Sequence, residues 1–199
     1  MGALGPPPGA LDDVRVLAGE LARATGRPAP PVVVSAARGV ARMQGEGRRA
    51  LLRVDPALLD APRAVRRGVV AHELAHLALD HARRARRRVM AVVMALVATA
   101  SLGLAAGYGA PQRAQLALVG GGAVFLGGQL LVARASRRAE LAADRYAVAL
   151  LGDHQDALRA LAWQAKRAPA AAADSWLARR MATHPSLEQR AAVVRRAAA

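Results

Sequence analysis

Apolar positions at Leu11, Val14, Leu17, Ala18 and Leu21 recur in steps of three and four, which predicts an amphipathic helix over 11–25. Asp12 and Asp13 suit its positive N-terminal end, and Gly26 and Pro28 stop it. The β-branched run Pro31-Val32-Val33-Val34-Ser35 predicts a strand. Segments 39–44 and 48–54 flank Gly45-Glu46-Gly47, the pattern of a hairpin with a three-residue turn. A small antiparallel sheet is therefore expected. Asp55-Pro56 opens a short helix, with Asp as cap and Pro at the first helical position, and Asp60-Ala61-Pro62 opens the next by similar chemistry. That second helix carries His72-Glu73-Leu74-Ala75-His76 inside the apolar run from Gly68 to Leu79.

The pattern then changes. No residue carries a charge over 89–112 or over 114–133, and both runs exceed the ~18 residues expected of a membrane span. They predict a transmembrane helical hairpin over 89–134, with Gly103-Leu104-Ala105-Ala106-Gly107 as a small-residue packing motif. Arg83, Arg84, Arg86, Arg87 and Arg88 precede the first span, and Arg134, Arg137 and Arg138 follow the second. The positive-inside rule places both flanks in the cytoplasm. Beyond the hairpin, helices are expected over 136–151, 154–167 and 174–182, the last with Trp176, Leu177 and Met181 inward. Ser186-Leu187-Glu188-Gln189 is a capping-box start to a final helix, and the Ala/Arg segment from Ala191 is expected to fray. The organisation expected is a tail over 1–10, a first catalytic half over 11–88, the hairpin over 89–134 and a second catalytic half over 135–199.

Composition narrows the chemistry. The net charge of +15 comes from arginine, with Lys166 the one lysine, and fits an anionic lipid surface. Aromatic residues are only 3%, so the stacking platforms of a nucleic-acid binder are missing and no nucleic acid is expected as a partner. There is no cysteine, which excludes disulfides, thiolate metal sites and a thiol nucleophile. The first nine residues lack the basic start and long apolar run of a signal peptide.

On a helix, residues four apart share a face, so His72 and His76 can grip one metal ion while Glu73 sits beside it as a base. A catalytic zinc keeps a third protein ligand and an open position. The candidates are Glu140, Asp144, Asp80, His81, His154 and His184. Glu140 is the best of them because it lies on a different helix, one turn before Asp144, which is placed to orient a ligand imidazole. His81 and His154 are expected to be surface or packing residues, and Trp163 and Trp176 core or membrane-interface anchors.

Val70 to His76, the two uncharged spans, Arg138-Ala139-Glu140-Leu141-Ala142-Ala143-Asp144, and Thr183-His184-Pro185 with Arg190 form an ordered set. The set resembles the family of membrane zinc metalloproteases that contains the heat-shock protease HtpX and the CAAX prenyl endopeptidases. The resemblance implies a zincin-like α+β fold, mainly α, and one Zn2+ held by His72, His76 and Glu140. It implies Glu73 as general base, Asp144 as support to the ligands, and His184 and Arg190 in binding or transition-state stabilisation. It also implies that Gly39, Val40, Ala41, Arg42 and Met43 pair with a protein or peptide substrate in extended form. The function expected is a zinc endopeptidase of the cytoplasmic membrane, multi-pass, in quality control or processing of membrane proteins. The alternative is a membrane-anchored sensor or scaffold with a structural or regulatory metal.

Overall fold

The structure is a computed structural model and describes residues 9–35, 40–107, 111–167 and 182–198. Gly39 and most of the helix expected over 174–182, with Trp176, Leu177 and Met181, lie outside the described residues. The order is α1 (Ala10–Ala24), β1 (Val32–Val34), β2 (Ala41–Gln44), β3 (Leu51–Val54), α2 (Pro56–Leu59), α3 (Arg63–Ala78), α4 (His81–Gly107), α5 (Pro111–Leu151), α6 (Gln155–Ala165) and α7 (Leu187–Ala197). The fold is mainly helical with one small sheet.

That sheet is mixed, and not antiparallel as the hairpin pattern suggested. β3 lies in the centre, antiparallel to β2 with Gln44 opposite Leu51, and parallel to β1 with Val32 opposite Leu52. Alternating apolar residues reveal a strand and its faces but say nothing about its direction relative to a neighbour. The hairpin turn is also longer than three residues. Gly45 and Gly47 adopt φ of 85° and 55°, and Gly47–Arg49 wind into a 3-10 turn in which Arg49 N donates to Glu46 O and Ala50 N to Gly47 O. Arg48 and Arg49 therefore belong to the turn, and β3 begins at Leu51.

Asp55 caps α2 by accepting from the Ala57 amide, as its sequence implies. Asp60 does not cap α3; it closes α2, and Pro62 precedes the first turn of α3 without a side-chain cap. The buried Arg66 compensates there. It donates to the Leu59 and Ala61 carbonyls and to Asp13, tying the start of α3 to α2 and α1.

By its internal contacts the chain divides into two units. The first comprises 1–82, 139–172 and 185–199; the second comprises 83–138 and 173–184. The first holds a core in which Val14, Leu52, Val54, Leu58, Val70 and Val194 are fully shut away from solvent. α3 runs through this core with α1 and β2 against it, and packs most extensively on α6. The approach of α3 to α6 is close at Gly68. A Cβ there would collide with the Asp156 carbonyl and lie 2.9 Å from the Ala160 methyl. Arg67 fixes the same contact by bonding Asp156 and the Leu151 carbonyl. Trp163 packs partly buried against the core, with the Arg167 guanidinium 3.9 Å over its ring. α7 starts on the expected capping box of Ser186 and Gln189. It does not fray from Ala191, because Val193 and Val194 are buried and hold it to Ala197.

In the second unit α4 and α5 touch where glycine leaves room: a Cβ at Gly128 would lie 2.7 Å from Val92 Cγ1. Val89, Met90, Val93, Met94 and Val97 of α4 are exposed, as are Phe125, Leu126 and Leu131 of α5. Among the described residues no helix is long and apolar enough to cross a membrane. This overturns the expected transmembrane hairpin and the multi-pass membrane location. The expectation rested on the absence of charge over 89–112 and 114–133, which is a weaker property than length and apolarity together. α5 also continues without a break through 134–138 into the helix that carries Glu140 and Asp144, where two separate helices were expected.

Candidate active site

The α3 periodicity turns His72 and His76 to one side, and α5 brings Glu140 to meet them. His72 Nε2 and His76 Nε2 are 3.1 Å apart. Glu140 Oε2 is 3.3 Å from His72 Nε2, and Glu140 Oε1 is 3.4 Å from His76 Nε2. Zinc with ~2.0–2.1 Å bonds at the centre of a tetrahedron separates its ligand atoms by about 3.4 Å. The three separations found here are close to those edges, so the side chains fit a zinc ion. Among the described residues these three form the one group of His, Asp and Glu side chains able to hold a metal.

The other nitrogen of each imidazole is occupied. His72 Nδ1 donates to Asp144 Oδ1 at 2.9 Å, which turns its Nε2 toward the cluster. Asp144 is itself held by Arg190 of α7 through a two-pronged bond, Nε to Oδ2 at 2.9 Å and NH2 to Oδ1 at 2.7 Å. Arg190 NH2 also lies 3.1 Å from His72 Nδ1, an approach of two donors, so the bonds that matter are those to Asp144. His76 Nδ1 lies 2.8 Å from His81 Nδ1. Nothing in the helical spacing pointed to His81, because five residues along a continuous helix would face it ~140° away.

Glu73 leaves the histidine face and accepts the Met43 amide of the edge strand β2 at 2.7 Å. The putting of a carboxylate against strand backbone explains how α3 and β2 are registered. Of the residues expected to meet substrate, Val40 packs partly buried on the core, Ala41, Arg42 and Met43 lie in β2 or at its start, and Arg42 is exposed. His184 is exposed and belongs to the second unit. Asp80 bonds Arg27 at 3.3 Å, and His154 precedes α6 beside Asp153 at 3.6 Å.

The electrostatics are uneven. Burial pushes the His72 imidazole down, but hydrogen bonds to Asp144 and Glu140 outweigh it and raise its pKa to about 9. Burial and the positive His72 push His76 down to about 3. One proton is thus held at the cluster, on His72, where two lone pairs would otherwise meet. Burial raises the Glu73 carboxyl, against the pull of His72 and the Met43 amide. Burial also works against the Asp144 carboxylate, but the bonds from Arg190 and His72 win and lower it.

The profile of peptidase family M48 matches residues 12–198, nearly the whole chain. The chain belongs to peptidase family M48. The search of curated proteins found no match to the chain. M48 proteins are zinc metalloendopeptidases that use one zinc and act on proteins or peptides. The family's chemistry agrees with the donor set on α3 and α5.

Proposed function

We propose that this M48 peptidase cleaves peptide bonds with His72, His76 and Glu140 as zinc ligands and Glu73 as general base. The observation that carries this reading is the triangle of ligand atoms at 3.1, 3.3 and 3.4 Å, with Glu73 following His72 in the chain and held by the Met43 amide. Zinc, when bound, would lower the pKa of a water towards ~7 and polarise a carbonyl. Glu73 takes a proton from the attacking water at its carboxylate and later delivers it to the leaving amine. Burial that raises the Glu73 pKa suits a group that must hold that proton between the two steps. Asp144 holds the Nδ1 proton of His72, and Arg190 holds Asp144. The role implied for His184 and Arg190 includes stabilising the transition state; Arg190 NH1, 3.9 Å from Glu140 Oε2, lies near enough to the cluster to add positive charge there.

β2 is an edge strand, since β3 occupies its other side. An extended substrate would add to it as a further strand along residues 39–43, displacing Glu73 from the Met43 amide. The test is Glu73→Gln, which keeps the shape and removes the base. The expected result is a loss of about 10²–10⁴ in kcat on an unfolded protein substrate, with zinc still bound. Full activity of the zinc-loaded variant would sink the mechanism.

A further inference from the structure

We propose that His81 is a positioning residue that fixes the proton of His76 and thereby aims its Nε2 at the metal. The proposal rests on His76 being a zinc ligand. For Nε2 to offer a lone pair, the neutral ring must carry its proton on Nδ1, and that buried proton needs an acceptor. His81 Nδ1 is 2.8 Å away, with the two rings 4.9 Å apart and inclined at 69°. His81 then carries its own proton on Nε2. The second histidine of the pair thus has an orienting partner, as the first has Asp144, but a neutral one.

The chain is bent to bring this partner into place. α3 ends at Ala78, and Asp80 adopts φ of 50°, the one left-handed non-glycine among the described residues. Aspartate tolerates that conformation better than most residues, yet it is not free. Without the break, His81 would point to another side of the helix. Arg27, from the segment after α1, clamps the break by donating to the Ala78 carbonyl at 3.2 Å and pairing with Asp80 Oδ1 at 3.3 Å. A turn this specified, placed between two facing imidazoles, is what a positioning function requires.

The experiment compares zinc dissociation constants, by chelator competition, for the full chain and for His81→Phe, His81→Gln and His76→Ala. Loss of an orienting partner costs about 10–100-fold in metal affinity, the expected result for His81→Phe. His81→Gln, whose amide oxygen can accept the same proton, should recover most of it. His81→Phe within twofold of the unaltered protein overturns the proposal. His76→Ala separates the two failures: unchanged zinc affinity there would overturn the metal-site reading itself. Nitrogen-15 spectra of the zinc-loaded, unaltered protein give a second readout that does not depend on the folding of any variant. They should show the His76 proton on Nδ1, coupled across the bond to His81. A His76 ring bound to metal through Nδ1 overturns the proposal whatever the variants do.

Discussion

α3 and α4 are consecutive helices built from the same kinds of residue, and they meet opposite fates. In α3, Val65, Val69, Val70, Leu74 and Leu77 are buried, and Gly68 lies under the backbone of α6. In α4, Val89, Met90, Val93, Met94, Val97 and Leu102 are exposed. The difference is one of partners. α3 is enclosed by α1, β2 and α6, so each apolar side chain finds a complementary surface. Burial follows from neighbours and not from hydrophobicity alone. The chemistry sits on the enclosed helix, where packed neighbours hold each rotamer, and that is what a metal triangle with separations near 3 Å demands.

The largest expected effect tests the enclosed region as a metal centre. Replacing a ligand should cost more than replacing an orienting partner, so Glu140→Ala should weaken zinc binding by more than about 100-fold and abolish cleavage. Chelator competition and a peptidase assay check both. A variant that retained zinc would remove Glu140 from the ligand set.

A matched pair of glycine substitutions sharpens the contrast. Gly68→Val drives a side chain into the Asp156 carbonyl, and backbone cannot step aside cheaply. About 3 kcal/mol of destabilisation is expected, at the upper end of overpacking costs. Gly128→Val meets the Val92 side chain, which can rotate, and about 1 kcal/mol is expected. Urea denaturation of both variants reads the difference. Equal costs would mean that α4 and α5 are as tightly specified as α3 and α6.

Much of the first unit was legible because its signals are local. The Asp55 cap, the capping box at Ser186 and the four-residue step from His72 to His76 each need only a few neighbouring residues. That Glu140 meets the two histidines required one inference more, that the third member of the group comes from another helix. What was not legible depends on contacts distant in sequence or on backbone. The parallel pairing of β1 on β3 and the burial of Val193 and Val194 are set by elements tens of residues away. His81 was missed because its function depends on one left-handed residue, Asp80, which no periodicity announces. The expected membrane hairpin failed for a different reason: it was read from runs without charge, and lack of charge does not by itself make a membrane span.

The cluster's charge gives a pH dependence of known sign. In the zinc-free protein the His72 pKa is raised to about 9, so at neutral pH the ring carries a proton that zinc must displace. Zinc affinity should therefore rise with pH, by about tenfold per unit (~1.4 kcal/mol), and level off above about 9. The same shift stabilises the zinc-free fold. That contribution is complete below the ordinary histidine value of 6.5 and is lost as pH rises through about 9. Calorimetry in buffers of different ionisation heat should find about one proton released per zinc near pH 7. Asp144→Asn should lower the midpoint, because the hydrogen bond to Asp144 is the foremost contribution raising it.

The smallest effect, that at Leu102, is also the most direct test of the contrast, since the same substitution is made on both helices. Leu74→Ala removes a side chain that is 1% exposed, between His72 and His76 in the chain. The expected cost is about 2–5 kcal/mol, from lost transfer energy and the cavity left behind. Leu102→Ala removes a side chain that is 71% exposed. Almost no apolar area returns to water, and alanine is the better helix former, so the change should stay within about 0.5 kcal/mol of zero. The two helices then differ by several-fold for identical chemistry. If Leu102→Ala instead cost 2 kcal/mol or more, Leu102 would have to be covered in solution, and the exposed face of α4 would be a contact surface rather than a solvated one.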